Sequence, residues 1–263
     1  MIRKFLITAI LIMLISGCAF ADIDLGEGYH VPEIFSSVLI TSSDGTAIQN
    51  AVAYIQDGGT ILLSGTFNLK TQINIKKNLA IKGDNNNTIL DGTDANDRVI
   101  RCQGNITLEN LTIKGGNSTN GGGVKLDGGE VKIISCDIIS NKSLLGGGGI
   151  HSQADNLTLT NCNISDNSVI LLGGGISFLG GNVTMTGCKI SNNSAAQGGG
   201  IASGGTTITM NDCQVINNTA RESGGGVYII SKKLIVTSCD ISGNTAPASA
   251  DIDLQNGASY EIN

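Results

Sequence analysis

Cys136, Cys162, Cys188, Cys213 and Cys239 stand 26, 26, 25 and 26 residues apart, and the residues around each recur with it. A glycine triplet runs into Val124, Ile150, Ile176, Ile201 and Val227. Seven residues on comes an apolar-x-apolar pair such as Leu157 and Leu159, or Val183 and Met185. The cysteine follows, then Ile or Val, then Asn141, Asn167, Asn193, Asn218 or Asn244. Repetition at this period is the mark of a solenoid, whose units bury their faces only against neighbouring units.

Each unit holds three short period-two patterns, such as Ile176-x-Phe178, Val183-x-Met185 and Cys188-x-Ile190. Period two reads as strand with alternate residues turned inward. The expected fold is therefore all-β: one right-handed parallel β-helix over residues 58–263, about eight coils of 25–26 residues, three strands per coil. A leucine-rich repeat also accommodates Leu159-x-x-Cys162-x-Ile164-x-x-Asn167, but its return leg would be helical where this chain is glycine-rich. The cysteines are expected to stack as small apolar groups, since neighbours one rung apart suit packing better than disulfide geometry. The asparagines are expected to form a hydrogen-bonded ladder and to take the left-handed backbone of a tight bend. The glycine triplets suit positive φ and close backbone approach at another corner.

An open solenoid end exposes strand edges and needs a cover. Residues 46–57 place Ala47, Ile48, Ala51, Val52 and Ile55 on one helical face, with Asp44 or Thr46 as N-cap and Gly58-Gly59 as stop, which predicts a capping helix. Residues 18–45 read as a linker. Residues 1–17 read as an export signal: Arg3 and Lys4 precede the apolar run Phe5 to Ile15. Ile15-Ser16-Gly17-Cys18 resembles a lipobox, which makes Cys18 the expected lipidation site, and Ala19-Phe20-Ala21 offers an alternative cleavage after residue 21. The expected location is the outer membrane or cell surface as a lipoprotein, or alternatively free secretion. Loss of the two basic leader residues takes the net charge from −6 to −8. With no basic stripe, nucleic acid is a poor partner.

Gly147-Gly148-Gly149-Ile150 and its three successors, with Ile138/Asn141, Ile164/Asn167 and Ile190/Asn193, resemble the repeats of polymorphic outer-membrane proteins. Those repeats pair Gly-Gly-Ala-Ile with Phe-x-x-Asn in right-handed β-helices of the pectin-lyase-like superfamily. The resemblance covers residues 106 to 254, and Thr88-Ile89-Leu90-Asp91-Gly92 is similar to early coils of that superfamily. This chain departs from the pattern by Gly for Ala and by Ile or Val for Phe. The resemblance implies surface display and adhesion; the chain itself is expected to act without catalysis, on a surface protein or a glycan. Autotransporter members of that family add a C-terminal barrel. No barrel is expected here, and a lipid on Cys18 is the expected substitute anchor.

Superfamily membership raises a second reading, a polysaccharide lyase or glycoside hydrolase, and the repeats allow a third, a purely structural envelope protein. A lyase would pair an Arg or Lys base with carboxylates holding Ca²⁺, and a hydrolase would cluster its carboxylates. Asp91, Asp94, Asp97, Arg98 and Arg101 are the one stretch where acids and bases gather, and they also suit a plain polar loop. No cofactor is expected outside the lyase reading, where Ca²⁺ would enter, and no Cys/His spacing suggests a metal centre. Alternation turns His151 and Tyr228 outward and Phe178 inward, and makes His151 a surface residue.

Length variation between coils falls between the ladder asparagine and the glycine triplet. Two adjacent coils fill that stretch with Leu144-Leu145 and Ile170-Leu171-Leu172, and the next two with Ala196-Gln197 and Arg221-Glu222-Ser223. Solenoid insertions map to one face, often a binding face. The leucines are expected either to fold back over the coil edge or to form a docking patch for a partner.

Overall fold

The computed structural model describes residues 35–41, 45–84, 87–230 and 232–263. The leader, the lipobox, Cys18 and Asp44 lie outside the described residues.

The described chain winds as a parallel β-solenoid of four sheets. The first sheet has ten strands: Phe35–Ile40, Ile55–Leu63, Leu79–Gly83, Ile106–Glu109, Glu130–Ile134, Asn156–Thr160, Asn182–Thr186, Thr207–Asn211, Lys233–Thr237 and Ser259–Ile262. The second runs over eight strands from Thr66–Asn68 to Asp240–Ser242, and the third over eight from Ile73–Ile75 to Ile252–Gln255. The fourth has five: Asn117–Asn120, Lys142–Gly146, Ser168–Val169, Ser194–Gln197 and Thr219–Ser223. This fourth sheet occupies the variable stretch where the repeat pattern predicts a loop. Its strands lack period-two apolar alternation and are held by pairing with the same segment of neighbouring coils.

Parallel pairing without slippage stacks like upon like. Ile133, Leu159, Met185, Met210 and Val236 form one register-matched column in the first sheet, and all are buried. Ile138, Ile164, Ile190 and Val215 form another in the second sheet, each fully buried. A buried side chain of this size contributes about 1.5–3 kcal/mol, and a column leaves no gap between coils in which that surface could stay wet.

Two corners of each coil are set by single residues in the left-handed region. Ser135, Asn161, Asp212 and Ser238, or Gly187, precede the cysteines, with φ of 50–63°. Ser140, Asp166, Asn192 and Asn217, or Gly243, precede the ladder asparagines, with φ of 55–65°. The expectation that the ladder asparagine itself is left-handed is thus corrected by one position. The bend one residue earlier turns the asparagine side chain into the interior, where it can reach the next coil. The ladder itself is present: Asn141, Asn167, Asn193, Asn218 and Asn244 are all buried, and each of the first four donates from Nδ2 to Oδ1 of the next at 3.0–3.1 Å. Asp251 Oδ1 ends it by accepting from Asn244 Nδ2 at 2.9 Å.

The glycine triplets pack against this ladder. In Gly173-Gly174-Gly175, only the first has positive φ, 70°. A Cβ on the second would lie 2.2 Å from the Gly199 carbonyl, and one on the third 3.1 Å from Asn193 Nδ2. One glycine therefore makes the turn, and the other two let adjacent coils and the ladder close together.

At the N-terminal end, α1 (Gly45–Tyr54) buries Ile48, Ala51 and Val52. It stops three residues short of the predicted end, because Ile55–Leu63 is a strand pairing with Phe35–Ile40 and Leu79–Gly83. Gly58-Gly59 therefore lie inside a strand rather than stopping a helix, and residues 35–40 of the expected linker are a strand. Gln49 of α1 accepts the Asn74 backbone N–H at 2.8 Å and donates to the Asn74 carbonyl at 3.2 Å. Both backbone groups belong to the edge strand of the third sheet.

Candidate functional site

Three parts of the molecule carry residues that could do chemistry or bind: the Asp91–Arg101 stretch, the outer column of the third sheet, and the outer surface of the fourth.

The five sequence candidates do not converge. Asp91 ends a strand of the second sheet and pairs with Lys114 one coil on, at 3.0 Å. Burial raises its pKa, but the Thr93 hydroxyl and backbone N–H and the Lys114 ammonium outweigh that and hold the carboxyl below its ordinary range. Asp94 sits in the following turn and pairs with Lys70 at 2.5 Å, both well exposed. Asp97 accepts the Arg98 backbone N–H at 2.7 Å. Arg98 turns inward, donating to Gln72 Oε1 at 3.0 Å and to the Asn120 carbonyl at 3.4 Å. Arg101 lies on the third sheet, against Asp127 at 2.5 Å. Residues close in sequence are thus spread around the coil: Asp91, Asp94 and Arg101 each pair with a residue of another coil, and Asp97 and Arg98 pair with each other at 4.0 Å. Among the described residues, no group of three His, Cys, Asp or Glu side chains is placed to hold a metal ion.

The column that does gather charge runs up the outer side of the third sheet: Asn74, Arg101, Lys125, His151, Ser177, Ala202, Tyr228 and Asp253, in register. Asp127 bridges two of its members, accepting from Arg101 at 2.5 Å and Lys125 at 3.1 Å. Burial raises the Asp127 pKa, yet these two cations hold it below the ordinary carboxylate range. The sequence reading missed Asp127, although Arg101 and Asp127 are 26 residues apart, one coil period. Coil arithmetic was the signal that could have found the pair.

His151 corrects the surface assignment. It points away from the core as alternation requires, yet it is only 5% exposed. The fourth sheet and its glycine turn close over this column: a Cβ on Gly146 would lie 2.8 Å from His151 Nδ1, and one on Gly121 3.2 Å from His151 Cβ. Among the described residues, Nδ1 has no hydrogen-bond partner. Burial, with the nearby Lys125 charge, pushes the imidazole pKa down to about 4, so the ring is neutral near pH 7. Ser177 and Ala202, next in the column, are buried for the same reason. Tyr228 is partly exposed, and Phe178 lies in the core as alternation predicts.

The cysteine column is packing. Cys136, Cys162, Cys188 and Cys213 are buried, and Cys239 is half-buried near the last coils. All are free thiols, as is Cys102 in the third sheet. Their sulfurs donate to nearby carbonyls, as Cys162 does to Ile133 at 3.3 Å. Burial raises Cys136 to about 12, and Cys188, through its neighbour Cys162 and through burial, with Cys213 opposing, also reaches about 12. Thiols held this way are poor nucleophiles.

On the fourth sheet the leucine-rich stretches do not fold back. Leu144, Leu145, Ile170 and Leu171 are 44–51% exposed, while Leu172 is half-buried and bridges to Gly146 and Gln197.

No curated protein and no solved structure matches this chain. The family described as "Right handed beta helix region" has a model that matches residues 99–262, more than half of the chain. That span holds every glycine triplet, ladder asparagine and stacked cysteine described above, and with the parallel four-sheet winding it supplies the hand of the coil. The chain belongs to the right-handed β-helix family.

Proposed function

We propose that this chain is an exported, non-enzymatic β-helix that serves as an adhesin-like binding module at the cell surface or in the envelope, anchored by a lipid on Cys18. In this reading its repeats are of the polymorphic outer-membrane type within the pectin-lyase-like superfamily. Three principal strands form the wall of each coil, and α1 caps the N-terminal end. The Gln49–Asn74 hydrogen bonds support the cap, since they occupy the backbone of an edge strand that would otherwise invite another chain.

The observation that carries the non-enzymatic reading is the fate of the candidate acids. Asp91 pairs with Lys114, Asp94 with Lys70 and Asp97 with Arg98, while Asp127, which was not among the candidates, holds Arg101 and Lys125. A lyase or hydrolase needs acids and a base converging on one substrate atom. The regular buried residues serve the scaffold, and the sequence differences between coils sit on the fourth sheet.

The test is protease accessibility on intact source cells, following the protein by antibody. Digestion outside an intact envelope is expected. Protection until the outer layer is permeabilised would replace surface display with a structural or glycan-processing role inside the envelope.

A further inference from the structure

Leu144, Leu145, Ile170 and Leu171 form one strip across two adjacent rungs of the fourth sheet, each about half exposed. Leu144 and Leu145 lie on the strand Lys142–Gly146, whereas Ile170 and Leu171 lie in the bend between the strand Ser168–Val169 and the bridge at Leu172. Solvent exposure of two neighbouring apolar pairs calls for an occupant. Three features of the molecule bear on what that occupant is.

The first is area. Four such side chains present on the order of 300 Å² of apolar surface, well below the roughly 800 Å² per partner of a stable protein interface. A second copy of the chain seated on this strip would be weakly held. The second is charge. The ionisable side chains on the five strands of this sheet are Lys142, Arg221 and Glu222, a balance of +1 in a chain of −6. Lys142 precedes Leu144 on its strand. Arg221 reaches back two coils to donate to the Ile170 carbonyl at 2.5 Å, which sets its guanidinium beside the strip. Apolar side chains bordered by cations match the boundary between acyl chains and anionic headgroups. The third is reach. Sixteen residues separate Cys18 from Phe35, enough to span up to roughly 55 Å when extended. The strip lies about five rungs from the strand Phe35–Ile40, roughly 24 Å along the solenoid. An anchor at Cys18 and the strip can therefore touch one bilayer together.

We propose that the outer surface of the fourth sheet docks on an anionic lipid surface through Leu144, Leu145, Ile170 and Leu171, flanked by Lys142 and Arg221. The export reading above supplies the setting for this docking. Docking lays the solenoid axis along the membrane and leaves the outer side of the first sheet facing away from it. The strip then acts as the second contact that a lipid anchor needs for firm, oriented attachment.

The test uses the chain from Ala19 onward, since every described element follows residue 34. An N-terminal histidine tag tethers it to vesicles of phosphatidylethanolamine and phosphatidylglycerol carrying a nickel-chelating lipid, so the result does not depend on natural lipidation. An environment-sensitive dye is placed on Leu145→Cys or, for comparison, on the exposed Thr184→Cys of the first sheet, both with Cys239→Ala. A blue shift is expected at 145 and none at 184, and it should weaken when phosphatidylcholine replaces phosphatidylglycerol. Equal spectra at the two positions would overturn the proposal. An unchanged shift on phosphatidylcholine would overturn its anionic part. A blue shift at 145 without vesicles would assign the strip to another occupant: a second copy if sedimentation shows a dimer that Leu144→Ser and Ile170→Ser dissolve, or residues 19–34 if the chain is monomeric. Loss of surface exposure on cells with the shift at 145 intact would remove the surface-display reading alone.

Discussion

Asn193 is bonded on four sides inside the solenoid. Its Oδ1 accepts the Asn167 backbone N–H at 3.0 Å and Asn167 Nδ2 at 3.1 Å, while its Nδ2 donates to the Ile164 carbonyl at 2.9 Å and to Asn218 Oδ1 at 3.0 Å. One side chain thus joins three coils at a corner where the backbone cannot continue its ladder.

Asn193→Ala should therefore be among the costliest substitutions in the molecule. It leaves several buried polar groups without partners, each costing about 1–3 kcal/mol, so a loss of about 3 kcal/mol or more is expected in urea unfolding. Asn182→Ala is the control. Asn182 is exposed and makes a single side-chain bond, to Asn156 Oδ1 at 3.1 Å, and its loss should stay within about 0.5 kcal/mol.

Gly174→Ala and Gly180→Ala should separate sharply. At Gly174 the new Cβ would lie 2.2 Å from the Gly199 carbonyl and 2.6 Å from the Ser194 nitrogen, all backbone, so adjacent coils must part. At Gly180 nothing lies within 4 Å and φ is not positive. Thermal unfolding should show a large drop in Tm for the first. The second should be unchanged or slightly stabilised, because alanine narrows the unfolded ensemble.

Stability should fall as pH drops from about 6.5 to about 4 on account of His151. Burial and Lys125 lower its folded pKa to about 4, with Asp127 opposing and Arg98 adding to the effect. The unfolded state, with the ordinary value near 6.5, takes the proton first. Stability is therefore lost through that window, by about 3 kcal/mol, and the penalty is constant below it. Urea midpoints measured from pH 7.5 to 4 should show this slope, and His151→Gln should flatten it. An equal slope in both proteins would show that other groups carry it.

Thiol reagents should distinguish the cysteines by position. Cys102, Cys136, Cys162, Cys188 and Cys213 are buried and Cys239 is not fully so; burial raises the pKa of Cys102, Cys136 and Cys239, and a neighbouring thiol together with burial raises that of Cys188 and Cys213. In native protein begun at Ala19, Cys239 should react first. The other five should react only on unfolding, with rates that follow unfolding rather than reagent concentration.

The repeat was legible because a solenoid writes its contacts at a constant spacing. The 25–26-residue period alone places Cys162 over Cys136 and Asn167 over Asn141, and alternation alone puts Phe178 in the core. These are nearest-neighbour relations, and a linear chain records them directly. Whatever depended on how separate segments meet around the coil was not legible. Asp91 and Arg101 are ten residues apart yet belong to different sheets, whereas Arg101 and Asp127 are one coil apart and touch. His151 alternates outward, but whether outward means solvent was decided by the fourth sheet, whose strands exist only through pairing between coils. Periodicity specifies which residues face the core. Only the closed coil specifies what covers the other side, and that distinction separates the buried imidazole of His151 from the exposed leucines beside it.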